Sequence, residues 1–176
     1  RAAVEAEFTA TNRDAVAPDP AEITRIEQAF APPAYERLPD ESAFLARHSV
    51  ANAEFAQWVA VNTFAHKQPG YTAVTVSLKP IGGAPGDATS DQMRALADAA
   101  DDFSFSELRV THHQNIVLPN VKKDDLFELW QRLAAHELAT ANIGLISDII
   151  ACPGMDYCSL ATARSIPIAQ AIAQRF

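Results

Sequence analysis

The sequence has few cysteines, no long apolar run and no excess of basic residues. Its 176 residues include two cysteines, too few for the disulfide framework of a small secreted domain. No apolar run approaches the length of a membrane span, and the first residues lack the pattern of a signal peptide. The formal net charge of −8 argues against binding to nucleic acid, which requires clustered Lys and Arg. We therefore expect no nucleic-acid partner, no membrane partner and a cytoplasmic location.

The overall composition is typical of a globular protein. Hydrophobic residues make up 48% and charged residues 20%, which is enough apolar material for a packed core. The length allows one compact domain with appendages, or two small domains. The chain starts at Arg1 without a methionine and ends at Phe176 within a predicted helix. We therefore expect it to be an internal piece of a longer protein.

Hydrophobic periodicity predicts an α+β fold. Residues 1–18 begin with a short helical pattern and then lose periodicity, and Asp19 is placed to cap a helix ending near Pro32. Alternation over Tyr71–Leu78 predicts a strand with one apolar face. The other predicted elements are a linker over 32–50, strands over 53–64, 107–110, 115–118 and 146–151, and helices over 90–102 and 122–135. This order indicates a largely antiparallel sheet with helices on one face.

The two cysteines lie close together in a loop. The segment Cys152-Pro-Gly-Met-Asp-Tyr-Cys158 follows a predicted strand and precedes a helical pattern. Thiolates are soft ligands suited to iron–sulfur clusters, but two of them cannot complete a four-thiolate site. On spacing alone, two idle thiols, a redox dithiol or a small-loop disulfide remain alternatives.

A second motif lies upstream of the cysteines. Arg109-Val-Thr-His-His-Gln-Asn115 is followed by an apolar strand, a helix and the Cys-x5-Cys segment. This arrangement resembles the second half of the nitrite/sulfite reductase family, over about residues 55–176 and less securely over 19–35. The run from Cys158 to Pro167 resembles that of bacterial sulfite reductase hemoproteins (beta component) in particular.

The resemblance implies an organisation into modules. Residues 1–50 would be the tail of a siroheme-binding module with a linker, 51–145 a ferredoxin-like half domain, and 146–176 the start of a second module for siroheme and a 4Fe-4S cluster. The family reduces sulfite to sulfide, or nitrite to ammonia, at siroheme coupled to the cluster. Its electron donor is a ferredoxin or a flavoprotein reductase. The fragment alone is expected to be inactive.

The resemblance also implies site residues. Cys152 and Cys158 would be cluster ligands, with a further Cys-x3-Cys pair expected beyond Phe176. A polar set would bind carboxylates of the macrocycle or hold the turn between strands: Arg109, Thr111, Gln114 and Asn115. Arg164 is a further candidate for binding the cofactor. No catalytic residue is predicted in this chain, because the basic residues that bind the substrate are expected elsewhere in the protein.

The residues alone support two further interpretations, one of the paired histidines and one of the whole chain. His112 and His113 are expected to point to opposite sides of an extended chain and to be solvated turn residues. The competing hypothesis for the whole chain is a non-catalytic α+β module with a paired thiol, used for packing or interaction. That hypothesis predicts no further cysteines in register with Cys152 and Cys158.

Overall fold

The chain divides into two units. The computed structural model describes residues 1–11 and 17–176. The first unit is Arg1–Tyr35, and the second, Glu36–Phe176, is here called the compact unit. The sequence interpretation of residues 12–16 lies outside the described residues. Within the described ranges, no helix is both long enough and apolar enough to span a membrane.

The first unit consists of two helices, α1 (Ala2–Ala10) and α2 (Pro20–Ala29). Asp19 caps α2 as predicted, since its carboxylate accepts a hydrogen bond from the Ala21 amide at 2.8 Å. The predicted apolar face of α2 is exposed, at 42% for Ile23 and 83% for Phe30. No described residue of this unit is buried, so its helices have no core of their own.

The compact unit has an α+β architecture, as predicted. Its sheet contains β1 (Thr63–Ala65), β2 (Tyr71–Ser77), β3 (Arg109–Val110) and β4 (Asn115–Lys122). All pairs are antiparallel and the strand order is β1-β2-β4-β3. Its helices are α3 (Ala43–Ala51), α4 (Ala53–Asn62), α5 (Ser90–Phe103), α6 (Leu126–Ala135) and α7 (Ile166–Arg175).

The core lies on one face of the central strand pair. In the register of β2 with β4, Val74 is opposite Leu118 and Val76 is opposite Ile116, so all four side chains share one face. Helices α4, α5 and α6 cover this face with apolar side chains, and Trp58, Leu96 and Leu129 are among the buried residues. The period-two pattern of β2 therefore predicted the inward face correctly.

The strand predicted over residues 53–64 is wrong, because most of that segment is helix α4. Its aromatic and β-branched residues favoured a strand, yet Phe55, Trp58 and Asn62 lie at helical spacing and are all buried. The Asn52 side chain caps the helix by accepting a hydrogen bond from the Phe55 amide at 3.0 Å. Only the last residues of the predicted strand enter the sheet, as β1.

The linker predicted over residues 32–50 is also wrong in its second half, which contains helix α3. Ion pairs attach the segment before α3 to the end of β4: Lys122 Nζ lies 2.5 Å from Glu36 Oε1, and Lys123 Nζ lies 2.6 Å from Asp40 Oδ1. The compact unit therefore starts at Glu36.

Two other boundaries differ from the prediction. Strand β4 continues through Lys122, and a 3₁₀ turn separates it from α6, which begins at Leu126. The strand predicted over residues 146–151 does not form, and that segment is irregular. Its apolar residues suggested a buried strand, but Ile146 is 54% exposed and Ile150 is 53% exposed.

The packing of α6 against the sheet gives a direct test. Leu129 is fully buried, so L129A removes apolar contacts and leaves a cavity. We expect the free energy of unfolding to fall by about 2–5 kcal/mol, measured by urea denaturation followed by circular dichroism. The matched control is L160A, at a site 89% exposed, which should change stability by less than about 0.5 kcal/mol. Equal effects of the two variants would contradict this account of the core.

Candidate functional site

The site lies on the sheet face opposite the helices. On this second face β2 and β4 carry Thr75, Ser77 and Asn115, which are buried although they are polar. A cleft of about 560 Å³ opens here. It is lined by residues of the sheet, of the β3–β4 turn and of the following loop: Phe64, Thr75, Arg109, Val110, Thr111, His112, His113, Asn115, Val117, Ile143 and Asp148.

The turn between β3 and β4 is held by Thr111. Its amide donates to the Asn115 carbonyl at 2.9 Å, and its Oγ1 accepts from the Asn115 amide at 3.1 Å. This tight turn brings the rings of His112 and His113 to a centroid separation of 3.9 Å. The prediction that the two histidines point to opposite sides of an extended chain is therefore wrong, although both are exposed turn residues as expected.

Gln114 joins this turn to the residue before the first cysteine. Its Nε2 donates to the Ala151 carbonyl at 2.9 Å, and its Oε1 accepts from the Ala151 amide at 3.0 Å. The side-chain amide thus takes the place of a strand partner for both backbone groups of one residue in an irregular segment. Its backbone adopts a left-handed conformation, with φ 58°, which aims the side chain across the turn.

Asn115 joins the strand pair to Asp148. Its Oδ1 accepts from the Leu78 amide at 3.3 Å, and its Nδ2 donates to Asp148 Oδ1 at 3.0 Å. The same carboxylate oxygen lies 2.6 Å from Lys79 Nζ, and the other oxygen accepts from the Gly144 amide at 3.0 Å. Asp148 is therefore the point where the end of β2, the start of β4 and the following loop meet.

The surroundings of Asp148 favour its charged form. The Lys79 side chain is 2% exposed and that of Asp148 is 11% exposed. Burial acts to raise the pKa of Asp148, whereas hydrogen bonds from the Gly144 amide, Lys79 and Asn115 lower it, and the net pKa lies below its ordinary value. The Asp148 carboxylate is therefore ionised at neutral pH.

The cysteine loop, residues 152–158, presents two free thiols. Cys152 is exposed and Cys158 is half-buried. The Cys158 amide donates to the Gly154 carbonyl at 2.9 Å, which closes a single turn between the thiols. Gly154 has φ 59°, and a Cβ there would lie 2.6 Å from the Ala163 carbonyl oxygen, so the turn requires glycine.

The two predicted arginines are apart from this network and exposed. Arg109 Nε donates to Glu107 Oε1 at 2.7 Å on the rim of the cleft. Arg164 Nε lies 3.8 Å from Oδ1 of Asp156, which is a residue of the cysteine loop. The structure thus joins Gln114 and Asn115 to the loop before the cysteines, whereas Arg109 and Arg164 have their own carboxylate partners.

Lys79 and Asp148 were not singled out from the sequence. Asp148 interrupts the apolar run from Ile146 to Ala151, and that isolated charge was a usable signal. Lys79 follows β2, and no periodicity or spacing in the sequence indicates that it is a site residue. Over the parts of the chain that the structure describes, no group of three or more His, Cys, Asp or Glu side chains could hold a metal ion.

Comparisons with known proteins agree with this fold. The family model of the nitrite/sulfite reductase ferredoxin-like half domain matches residues 65–136. The chain is 33% identical to the chloroplastic ferredoxin–nitrite reductase of Zea mays over 115 residues, which are 62% of this chain and 19% of that protein. It is 29% identical to the Arabidopsis thaliana ferredoxin–nitrite reductase over 130 residues, 72% of this chain and 21% of that protein.

Residues 65–136 therefore form a ferredoxin-like half domain, which contains strands β2, β3 and β4 and helices α5 and α6. Over this half domain, the resemblance to the nitrite/sulfite reductase family that the motifs predicted is confirmed. The chain spans about a fifth of the length of these curated relatives. The closer likeness to bacterial sulfite reductase hemoproteins stays a prediction.

The lowered pKa of Asp148 predicts a pH-dependent stability. A depressed folded-state pKa gives stability that is present above the ordinary aspartate pKa of about 3.9 and is lost as pH falls through the lowered value. We expect D148N to be less stable than the wild type at pH 7, and the difference to narrow below about pH 3.9. Urea unfolding at a series of pH values measures both. The exposed control D98N should have little effect at pH 7, and a difference for D148N that persists undiminished in acid would contradict the assignment.

Proposed function

We propose that this chain is part of a reductase that reduces nitrite to ammonia or sulfite to sulfide. In this proposal the half domain starts at Glu36, and residues 146–176 begin the module that holds siroheme and a 4Fe-4S cluster. The single observation that carries the proposal is the attachment of the Cys-x5-Cys loop, through Gln114, to a half domain of this family. The protein is accordingly an oxidoreductase, and the 176-residue chain alone is expected to be inactive.

The residues of the cysteine loop fit two ligands of an iron–sulfur cluster. Both thiols are free, neither is fully buried, and they lie on a loop that Gly154 turns tightly. Thiolates ligate iron–sulfur clusters. Because the cysteine loop follows the residue that Gln114 binds and is itself largely exposed, both of its thiols are accessible to a cluster. Cys152 and Cys158 would supply two of the four thiolates, and the others would come from outside this chain.

The polar set would act in two ways. Thr111, Gln114 and Asn115 make hydrogen bonds within the chain, which favours the interpretation that they hold the turn between strands. Arg109 lies on the cleft rim and is 64% exposed, so its guanidinium is accessible to a carboxylate of the macrocycle. Arg164 is similarly exposed beside the cysteine loop and is a second candidate for this role.

The names of the relatives favour one donor and one substrate. The relatives described above are named ferredoxin–nitrite reductases, which favours nitrite as the substrate and ferredoxin as the donor. Sulfite and a flavoprotein reductase are the alternative pair, favoured by the run from Cys158 to Pro167. Siroheme with its coupled cluster would supply the electron transfer, and the residues of this chain would orient and bind these groups. We propose a cytoplasmic location from the composition, although the plant relatives are named as chloroplastic.

The proposal predicts the sequence that follows this segment in its gene. We expect a Cys-x3-Cys pair in a Gly- and Asn-rich loop within about a hundred codons after Phe176, because a four-thiolate site needs two further cysteines. Sequencing the encoding DNA beyond Phe176 tests this. A continuation of the gene without such a pair would favour the alternative, a non-catalytic packing or interaction module with a paired thiol.

The proposal also predicts the effect of removing each thiol from the full-length protein. We expect C152S and C158S to lose the iron–sulfur absorption and the reductase activity, because serine is a poor ligand for the cluster. The matched control is S159A, an exposed residue beside the same loop, which should retain both. Visible absorption, iron content and nitrite or sulfite reduction measure the outcome, and a full iron complement in C152S would contradict the ligand assignment.

A further inference from the structure

Lys79 is the one charged residue that is buried within the described ranges. A buried ammonium is costly unless its three N–H groups have acceptors. Here Nζ donates to the His113 carbonyl and to Asp148 Oδ1 at 2.6 Å, and the Asp148 carbonyl lies 3.5 Å away. Lys79 therefore connects the end of β2 with the turn before β4 and with the segment leading to the cysteines.

Asp148 is the first residue of that segment, residues 148–151, here called the pre-cysteine segment. Its carboxylate is bound by Lys79, Asn115 and the Gly144 amide, so one end of the segment is fixed to the sheet. At the other end, Gln114 binds both backbone groups of Ala151. Cys152 follows directly, so its backbone position depends on these two attachments, together with the hydrogen bond that the Ser165 hydroxyl donates to its carbonyl.

Apolar packing of the pre-cysteine segment is limited. Ala151 is buried, but Ile150 is 53% exposed and Ile149 is half-buried, and the segment belongs to no strand or helix. The residues that start the loop after it, Cys152 and Pro153, are exposed as well. A segment with few buried apolar contacts opens locally unless hydrogen bonds hold it.

We propose that Lys79 and Asp148 are positioning residues for Cys152. Through the pre-cysteine segment they hold this thiol in a fixed place relative to Cys158, so that the pair can bind one soft metal centre. The inference rests on the proposed function only in that the natural centre would be the iron–sulfur cluster. Neither residue contacts the metal, and both act through Asn115, Gln114 and the backbone.

The test uses Cd²⁺ as the probe and the chain in its reduced form. Thiolate-to-Cd²⁺ absorption reports binding, and a C152S/C158S variant shows that the signal comes from this pair. We expect K79M and D148N to weaken Cd²⁺ binding by about 10–100-fold, the range found when outer contacts of metal ligands are removed. The matched control is K123M, which breaks an ion pair of the same length at the other end of β4 and should leave binding unchanged.

Amide hydrogen exchange distinguishes positioning from a general loss of stability. In K79M and D148N we expect exchange of the Ala151 amide to accelerate by a several-fold larger factor than exchange of the amides of β2 and β4, which follows the global free energy of unfolding. Q114A breaks the last contact without leaving a buried charge, and we expect the same local effect on Ala151. If K79M does not fold, D148N and Q114A give the answer.

Three results would overturn the inference. They are Cd²⁺ binding that is unchanged in the folded K79M and D148N variants, an equal acceleration of exchange over the whole sheet, and a wild-type chain without a Cd²⁺–thiolate band. The proposed function fails separately, if full-length C152S retains its cluster. That result would leave the positioning of Cys152 intact, because the exchange and Cd²⁺ measurements do not depend on the natural centre.

Discussion

The antiparallel pairing of β2 with β4 is the interaction on which the compact unit depends. Because neighbouring side chains alternate between faces, this one pairing creates an apolar face of Val74, Val76, Ile116 and Leu118 and a polar face of Thr75, Ser77 and Asn115. Helices cover the first face, and the loop leading to the cysteines lies over the second. A one-residue slip in register would exchange the two faces and remove both the core and the site.

The parts of the fold that were predictable are those with a regular period. The strand β2 and the helices α5 and α6 were all predicted from the sequence, because each buries one face of a regular element. Helix α4 was missed because its aromatic and β-branched residues suggested a strand. The cap at Asn52 and the spacing of Phe55, Trp58 and Asn62 were the better signals.

The site was predictable only in part, for a different reason. The motif from Arg109 to Asn115 and the two cysteines identified the family, but the sequence did not say what each polar side chain binds. Lys79 and Asp148 are 69 residues apart, and no periodicity links them. The pairing arises from the chain path, which brings the loop after α6 back across the second face of the sheet. Tertiary contacts of this kind cannot be read from one sequence.

At Gln114, the stability of the turn and the attachment of the cysteine loop favour different residues. A residue other than glycine at φ 58° carries conformational strain of order 1 kcal/mol, and glycine at this position would relieve it. Glycine, however, has no side-chain amide to bind the two backbone groups of Ala151. Glycine would suit the backbone of the turn best, whereas glutamine is needed to hold the residue before the cysteines. Selection for thermostability alone would therefore tend to replace the side chain that attaches the cysteine loop to the fold.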